Sequence, residues 1–515
     1  MSDDDSNNLE SSRHHVQRYF SISEEDAEYL ENEVDADIVI GLGEEASPER
    51  ETVKRITGLD ATSALIKGNL GPGCLNLPHA FSLTGWALGS FFFCVVAIQG
   101  IYSMWLLTYC KQLLTDHGKD GKTFMDLARL SLGGFGQRLV QIFLFVLQTG
   151  VCCVFMSLVS TNLQGAFNAL GFLDVSSYTR TTIVTLSLMA LVLLRFIKNL
   201  RWLSAIANGL MIIAIFTAAS AGLVEIVQNS KTLLPPKAAS SSFQDMATFV
   251  SAMFFAFEGI GLVMPIENSF TAGYTDPNDV RRANKKFRKW LIFSMSIVAS
   301  LFVFIGVTAS IGFPDIDSGS VTDYLVVRFG NPWYQIVNGF VIVAVLFTFP
   351  LQLTPAVEVL DEWFGPGCSP LCCSPSSQGE LVVVESYERA PEVVTTLNEG
   401  ETFHDEPDSI AAESPASLCR KYEWVLRRWL MVLGCAVVVN VVSDLAALIS
   451  LFGAFGQTGL AAMPCLMHLN LQRNGIAPKN IMQTVLDIVI LSFCSLVMLT
   501  GCSFSLQQIW KEKIR

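Results

Sequence analysis

The sequence predicts an all-α polytopic membrane protein with about eleven transmembrane helices. Composition is the first reason: 51% of the 515 residues are hydrophobic and only 16% are charged, too few for a soluble surface. Apolar windows of roughly 20 residues recur along most of the chain, each long enough to cross a hydrocarbon core of about 30 Å. The windows lack the period-2 alternation of a barrel strand, so a helix, which satisfies its own backbone, is the spanning structure that remains.

In chain order the first expected span, 61–83, is apolar but punctuated by Gly68, Gly71, Pro72, Gly73 and Pro78 in "IKGNLGPGCLNLPHA". The second, 86–110, is followed by "TFMDLARLSLGGFG", read as an interfacial helix ending at Gly133 and Gly134. Spans at 136–167, 180–196 and 202–228 follow, the third carrying Gln141, Gln148 and Thr149, which either line a pathway or bond between helices. The sixth, 246–269, is interrupted again, with Glu258, Gly259, Gly261 and Pro265 in "MFFAFEGIGLVMPIENSF". The remaining five are expected at 289–313, 334–360, 424–442, 445–469 and 481–503, with Glu358 and Asp361 marking the end of the eighth.

Charge divides the chain into four regions. Residues 1–55 hold 16 Asp+Glu against 5 Lys+Arg, and residues 362–420 hold 11 against 2, so these stretches carry −11 and −9 of a total of −13 and leave +7 for the rest. Both are rich in Ser, Pro or Gly and are read as disordered and cytosolic, a tail and a loop. Between them lie the first eight spans, 56–361, and after them 421–515 holds the last three with a short tail. Lys and Arg concentrate in the alternate loops that contain Lys111 to Arg138, Arg195 to Arg201, Arg281 to Lys289 and Arg473 to Lys479, which puts the N-terminus in the cytosol. No cleavable signal peptide is expected, because the first 55 residues lack a short apolar core.

Of the 13 cysteines, most fall in or beside spans, where Cys acts as a small buried hydrophobe. Cys368, Cys372 and Cys373 are juxtamembrane and open to palmitoylation, but their spacing fits no zinc site. No phosphate loop, catalytic triad or metal cluster is recognised, so no enzymatic activity, cofactor, metal or nucleic-acid partner is expected.

Two glycine- and proline-interrupted spans, five spans apart, point to an inverted-repeat transporter. Unwinding exposes backbone N–H and C=O groups at mid-membrane depth, which is tolerable only where they line a cavity or hold a ligand. Half-helix N-termini suit a carboxylate and freed carbonyls suit an ammonium group, so a zwitterion satisfies both. Close helix packing is the plainer use of such glycines.

"LIKGNLGPGCLNLPHAFSLTGW" and "FAFEGIGLVMPIENS" resemble the first- and sixth-span signatures of the amino acid/auxin permease family, in particular its proton-coupled and vacuolar amino acid transporter branches. "FTFPLQLTPAVEVL" and "DLAALISLFGAFGQTGLAAMPCLMHL" are similar to its eighth and tenth spans, and the likeness extends over about 58–505. The resemblance implies a LeuT-like fold of two inverted five-span repeats plus an eleventh span. It implies movement of small neutral amino acids, with Gly68, Asn69, Leu70, Gly71 and Gly73 facing the substrate carboxylate. Phe257, Glu258, Gly259, Ile260 and Gly261 would face its ammonium, with Phe257 as a gate.

The histidine that animal proton-coupled members tend to place three residues before this lysine is replaced by Ala64, so proton coupling through it is not inherited; His79 is read as structural. Lys67 and Glu258 are the ionisable groups beside the breaks. An intramembrane charge costs about 2.5 to 3.5 kcal/mol on insertion scales and is functional by default. Glu258 either titrates with transport or braces the unwound backbone. Lys67 stands where sodium-coupled relatives place a neutral cation ligand, which argues against sodium. The expectation is a proton-coupled, sodium-independent amino acid transporter working by alternating access in a vacuolar or lysosomal membrane, or else in the plasma membrane. Its partners are the substrate, the proton, the bilayer and cytosolic regulators at the acidic tail or loop. The alternative is an amino acid sensor signalling through that tail or loop.

Overall fold

The structure, a computed structural model, describes residues 56–169, 171, 175–193, 200–229, 238–274, 276–364, 415–442 and 444–514. The acidic tail, nearly all of the 362–420 loop, Arg195, Lys198 and the Cys368 group lie outside the described residues.

Every regular element among the described residues is helical. The first span is α1 (Gly58–Asn69), a 3-10 turn (Pro72–Asn76) and α2 (Leu77–Thr84). It opens on a capping box: the Thr57 hydroxyl accepts the Asp60 N–H while the Asp60 carboxylate accepts the Thr57 N–H. The second to fifth spans are α3 (Trp86–Asp116), α4 (Phe124–Ala169), α5 (Ser177–Val192) and α6 (Leu200–Asn229). The sixth is α7 (Phe243–Ala256) and α8 (Ile260–Thr271), followed by α9 (Pro277–Gly312), the short α10 (Val321–Phe329), α11 (Pro332–Phe364) and α12 (Pro415–Val441). The tenth is α13 (Leu445–Phe452), a π turn (Gly453–Gln457) and α14 (Thr458–Arg473); α15 (Ile481–Ile514) ends the chain. Among the described residues eight helical stretches are long and apolar enough to cross a membrane; the other expected spans correspond to the short pieces α1 and α2, to α5 and to α12.

Two links answer one another. Between the second and third spans, the interfacial helix at the head of α4 turns into the span at Gly133, whose φ of 75° is a left-handed conformation that a side chain resists. Between the seventh and eighth, α10 ends at Gly330 (φ 59°), with Pro332 opening α11. The first was expected from sequence. The second was not, although "RFGNP" carries the stop and start signals. α10 docks through Ser320 and Thr322 on Asn162 of α4, at 2.8 and 3.3 Å, and Asn338 of α11 donates to the Asn162 carbonyl at 2.8 Å. Asp323 comes up against Gly165, where a Cβ would lie 3.2 Å from its Oδ1.

α4 and α6 pack on α11, and α9 lies against α1, α2, α3 and α6, which places both broken spans inside the bundle. The tenth span is drawn in tightly because glycines recur every third residue. A Cβ at Gly456 would lie 2.9 Å from Leu147 Cα; one at Gly453 would strike the Ser251 carbonyl and one at Gly459 the Phe143 ring.

Candidate functional site

The first break has a local cause: Pro72 lies four residues after Gly68 and has no N–H, so the Gly68 carbonyl does not receive the i+4 bond that would continue the helix. Pro265 lies inside α8, beyond the second break, and withholds a bond from the first turn of that helix rather than ending α7. α1 ends at Leu70 (φ −82°, ψ 63°), whose N–H reaches the Ile66 carbonyl at 3.1 Å. α7 ends at Phe257 (φ −102°, ψ 56°), whose N–H reaches the Met253 carbonyl at 3.0 Å. The two half-helices thus stop with one backbone gesture, close to an inverse γ-turn.

The breaks then meet, running in opposite directions. A Cβ at Gly68 would collide with Leu262; one at Gly259 would lie 2.5 Å from Asn69 Nδ2; one at Gly71 would lie 3.7 Å from Glu258 Oε1; one at Gly73 would lie 3.0 Å from Ala256 Cα. As the first chain advances from 68 to 73 its partner retreats from 262 to 256, as inverted repeats require. The structure therefore brings Asn69, Gly71, Gly73, Glu258 and Gly259 to one junction. A Cβ at Gly261 would meet nothing within 4 Å.

Asn69 is buried, and its Nδ2 donates to the Leu65 carbonyl at 2.8 Å, leaving Oδ1 without a partner. Glu258 Oε2 is likewise sealed and unbonded. The Gly71 carbonyl is not free, since it accepts the Cys74 N–H at 3.2 Å and the Cys74 thiol at 2.8 Å. Leu70 and Ile260 are buried beside the junction. The Phe257 ring is buried on α3, edge-on to Phe93 with centroids 6.4 Å apart and beside Gly100.

Lys67 is not brought in. Its side chain is exposed on the outer face of α1. The lysine that pairs with a carboxylate of the sixth span is Lys111 of α3, which reaches Glu267 and Asn268 on α8. Gln141 bonds between helices, to Glu362 at 2.5 Å and Trp363 at 3.1 Å, whereas Gln148 Oε1 and Thr149 Oγ1 are buried and unpartnered. His79 Nδ1 meets the Ile316 carbonyl at 3.2 Å and braces the approach to α10. Asp361 pairs with Arg427 of α12.

One junction residue escaped sequence reading. Gln457, at the end of the π turn, donates to the Phe257 carbonyl at 3.0 Å, and its Oε1 is a third buried acceptor without a partner. The glycine spacing around it announces close packing, but nothing in the sequence shows that the amide faces a break about 200 residues earlier.

The chain is similar in sequence to known amino acid transporters. Amino acid transporter AVT3B of Arabidopsis thaliana is 24% identical over 463 residues, 86% of this chain and 91% of its own. Amino acid transporter ANT1 of the same plant is 26% identical over 325 residues, 61% of this chain and 70% of its own. Vacuolar amino acid transporter 4 of Saccharomyces cerevisiae is 28% identical over 59% of this chain and 40% of its own. The inward-facing structure of Mhp1 overlays with a TM-score of 0.55 at 12% identity, covering 92% of this chain and 96% of that one, and shares its LeuT-like fold. Residues 54–507 match the family described as transmembrane amino acid transporter protein, and the chain, a multi-pass membrane protein and not an enzyme, belongs to that family.

Proposed function

We propose that the protein is a secondary active transporter of small neutral amino acids, driven by protons and independent of sodium, working by alternating access in a vacuolar or lysosomal membrane. The observation that carries this reading is the junction of two mirrored breaks with three unpartnered buried acceptors, Asn69 Oδ1, Glu258 Oε2 and Gln457 Oε1. An ammonium group has three N–H donors and no acceptor, which is the complement of that set. The substrate carboxylate is assigned to the first-span break, where the N–H groups of Gly71 and Gly73 introduce the 3-10 turn. Leu70, Phe257 and Ile260 are apolar and offer no counter-charge to a charged substrate side chain. Glu258 is the coupling carboxylate in this scheme, taking up a proton as the ammonium leaves. Lys67, exposed on the outer face of α1, does not enter this scheme; sodium independence is decided by the choline replacement below. The vacuolar assignment is supported by the yeast relative's name.

Uptake of a panel of amino acids into proteoliposomes tests the reading. Accumulation of small neutral substrates under an inward proton gradient, unchanged when choline replaces sodium at constant pH, is expected. Glu258→Gln should retain counterflow and lose gradient-driven accumulation. Accumulation by that variant at the wild-type level shows that the proton travels elsewhere, and weakened binding at every pH shows that Glu258 only braces the break.

A further inference from the structure

A second ionisable cluster lies inside the bundle, away from the breaks. His468 of α14 and Asp487 of α15 are both fully buried, and His468 Nδ1 meets Asp487 Oδ2 at 2.6 Å. Tyr102 of α3 donates its hydroxyl to Asp487 Oδ1 at 2.8 Å. Three helices therefore converge on one carboxylate. His468 Nε2 is buried with no partner.

The charge count is the central point. No lysine or arginine pairs with Asp487 among the described residues. The groups facing His468 are Asp487 on α15 and the Tyr109 ring on α3, its centroid 6.0 Å away, while Cys110 on α3 and Cys465 on α14 face Asp487. From α4 the Ser131 carbonyl accepts from Asn470, two residues on. Arg288 of α9 stands beyond Tyr109, 5.9 Å from that ring, and is bonded to Gln112. With neutral imidazole the cluster holds one negative charge sealed from water; one added proton makes it neutral, either as imidazolium and carboxylate or as imidazole and carboxylic acid. An isolated buried charge is among the most expensive things a fold can hold, whereas the neutral pair is not.

The cluster is also mechanically connected to the junction. His468 follows Gln457 by eleven residues, about three turns and ~16 Å along α14, so the two share a helix face. Gln457 holds the Phe257 carbonyl. Between α13 and His468 the helix carries a π turn at Gly453–Gln457 and a proline, Pro464, the features at which helices bend.

We propose that Tyr102, His468 and Asp487 form a membrane-embedded binding site for a single proton, separate from the broken helices and linked to them by α14. The link to transport rests on the proton-coupled reading above; the proton site itself does not. The unloaded pair, neutral imidazole and carboxylate, already shares the Nδ1–H with Oδ2, so loading adds one proton at His468 Nε2 or on the Asp487 carboxylate, removes the sealed charge and holds α14 to α15. Unloading leaves a carboxylate that favours opening of that contact to water, and the displacement reaches the Phe257 carbonyl through Gln457.

The test has two arms on the purified full-length chain in lipid. Infrared difference titration should show one carboxyl or imidazole protonation that vanishes in Asp487→Asn and in His468→Gln and persists in Glu258→Gln. Should Asp487→Asn fail to insert, His468→Gln reads the same band. An unchanged titration in folded His468→Gln and Asp487→Asn overturns the site. In proteoliposomes, alanine counterflow should persist in both variants while pH-gradient accumulation and entry of protons onto an entrapped pH dye are lost. Loss of counterflow together with accumulation in a folded variant makes the cluster a structural staple and overturns the coupling. A wild type that titrates at this site but moves no amino acid refutes the transport reading and leaves the proton site standing.

Discussion

Gly259 and Gly71 face each other's chains at different clearances, and that difference is measurable. Adding a methyl at Gly259 would place carbon 2.5 Å from Asn69 Nδ2, whereas at Gly71 it would stand 3.7 Å from Glu258 Oε1, an ordinary contact. Overpacking costs about 1 to 3 kcal/mol, so Gly259→Ala should weaken substrate binding roughly 5- to 150-fold while the protein still inserts. Gly71→Ala should fold as the wild type does and lose affinity only through the space taken from the ligand. Binding of radiolabelled alanine to the purified variants, with thermal stability as the control, checks both; equal effects would mean that the breaks do not approach as described. The same pair shows what residue-level reading achieves. Glycine and proline disclosed the breaks because they act on their own backbone. Gln457, Tyr102, His468 and Asp487 act on partners in other helices, so their neighbours in sequence say nothing about them. Lys67 misled for the converse reason, since adjacency to a break does not decide which way a side chain on a helix turns.

At the scale of the element, α10 is the part whose attachment should respond to pH. It lies between two spans, and burial pushes the Asp323 carboxyl up to about 6, against the smaller opposing effects of the Ser318 hydroxyl and Arg180. A carboxyl raised in the docked state binds its proton more tightly there, so docking is favoured at acid pH and is weakened as pH rises through about 6. Hydrogen-exchange protection across residues 318–329, taken relative to the intrinsic rate at each pH, should therefore rise on acidification from about pH 7 to 5, and Asp323→Asn should abolish the rise. Gly330 closes this helix in a left-handed conformation, and Gly330→Ala should cost about 1 to 2 kcal/mol, read as a lower melting temperature. α10 was overlooked in sequence because nine residues between two long apolar runs carry no periodicity that competes with their neighbours. The π turn in the tenth span was hidden for a similar reason, since one extra residue per turn leaves the apolar run unbroken.

Over the whole molecule, hydrophobic content was sufficient to recover an all-helical membrane fold, with eight spanning helices among the described residues, because in lipid the backbone leaves so few choices. The ends were less accessible. α9 begins at Pro277 and α15 runs to Ile514, each extending about a dozen residues past the expected apolar limits, since helices continue through polar residues once packing supports them.

The matched endings of α1 at Leu70 and α7 at Phe257 bear on energetics more than on shape. When two halves of a chain are near copies in opposite orientation, a form open to one side becomes a form open to the other by exchanging what each half does. Such twin forms would be isoenergetic if the halves were identical, so the resting preference of the protein belongs wholly to the places where they differ. Two such places lie at the junction: a carboxylate at Glu258 opposite the bare backbone of Gly71, and an amide at Gln457 bonded to the sixth-span carbonyl of Phe257. A tilt of about 1.4 kcal/mol shifts such a balance tenfold, well within what one proton or one ammonium group supplies. Near-degeneracy of that kind makes a small ligand sufficient to turn a large protein over.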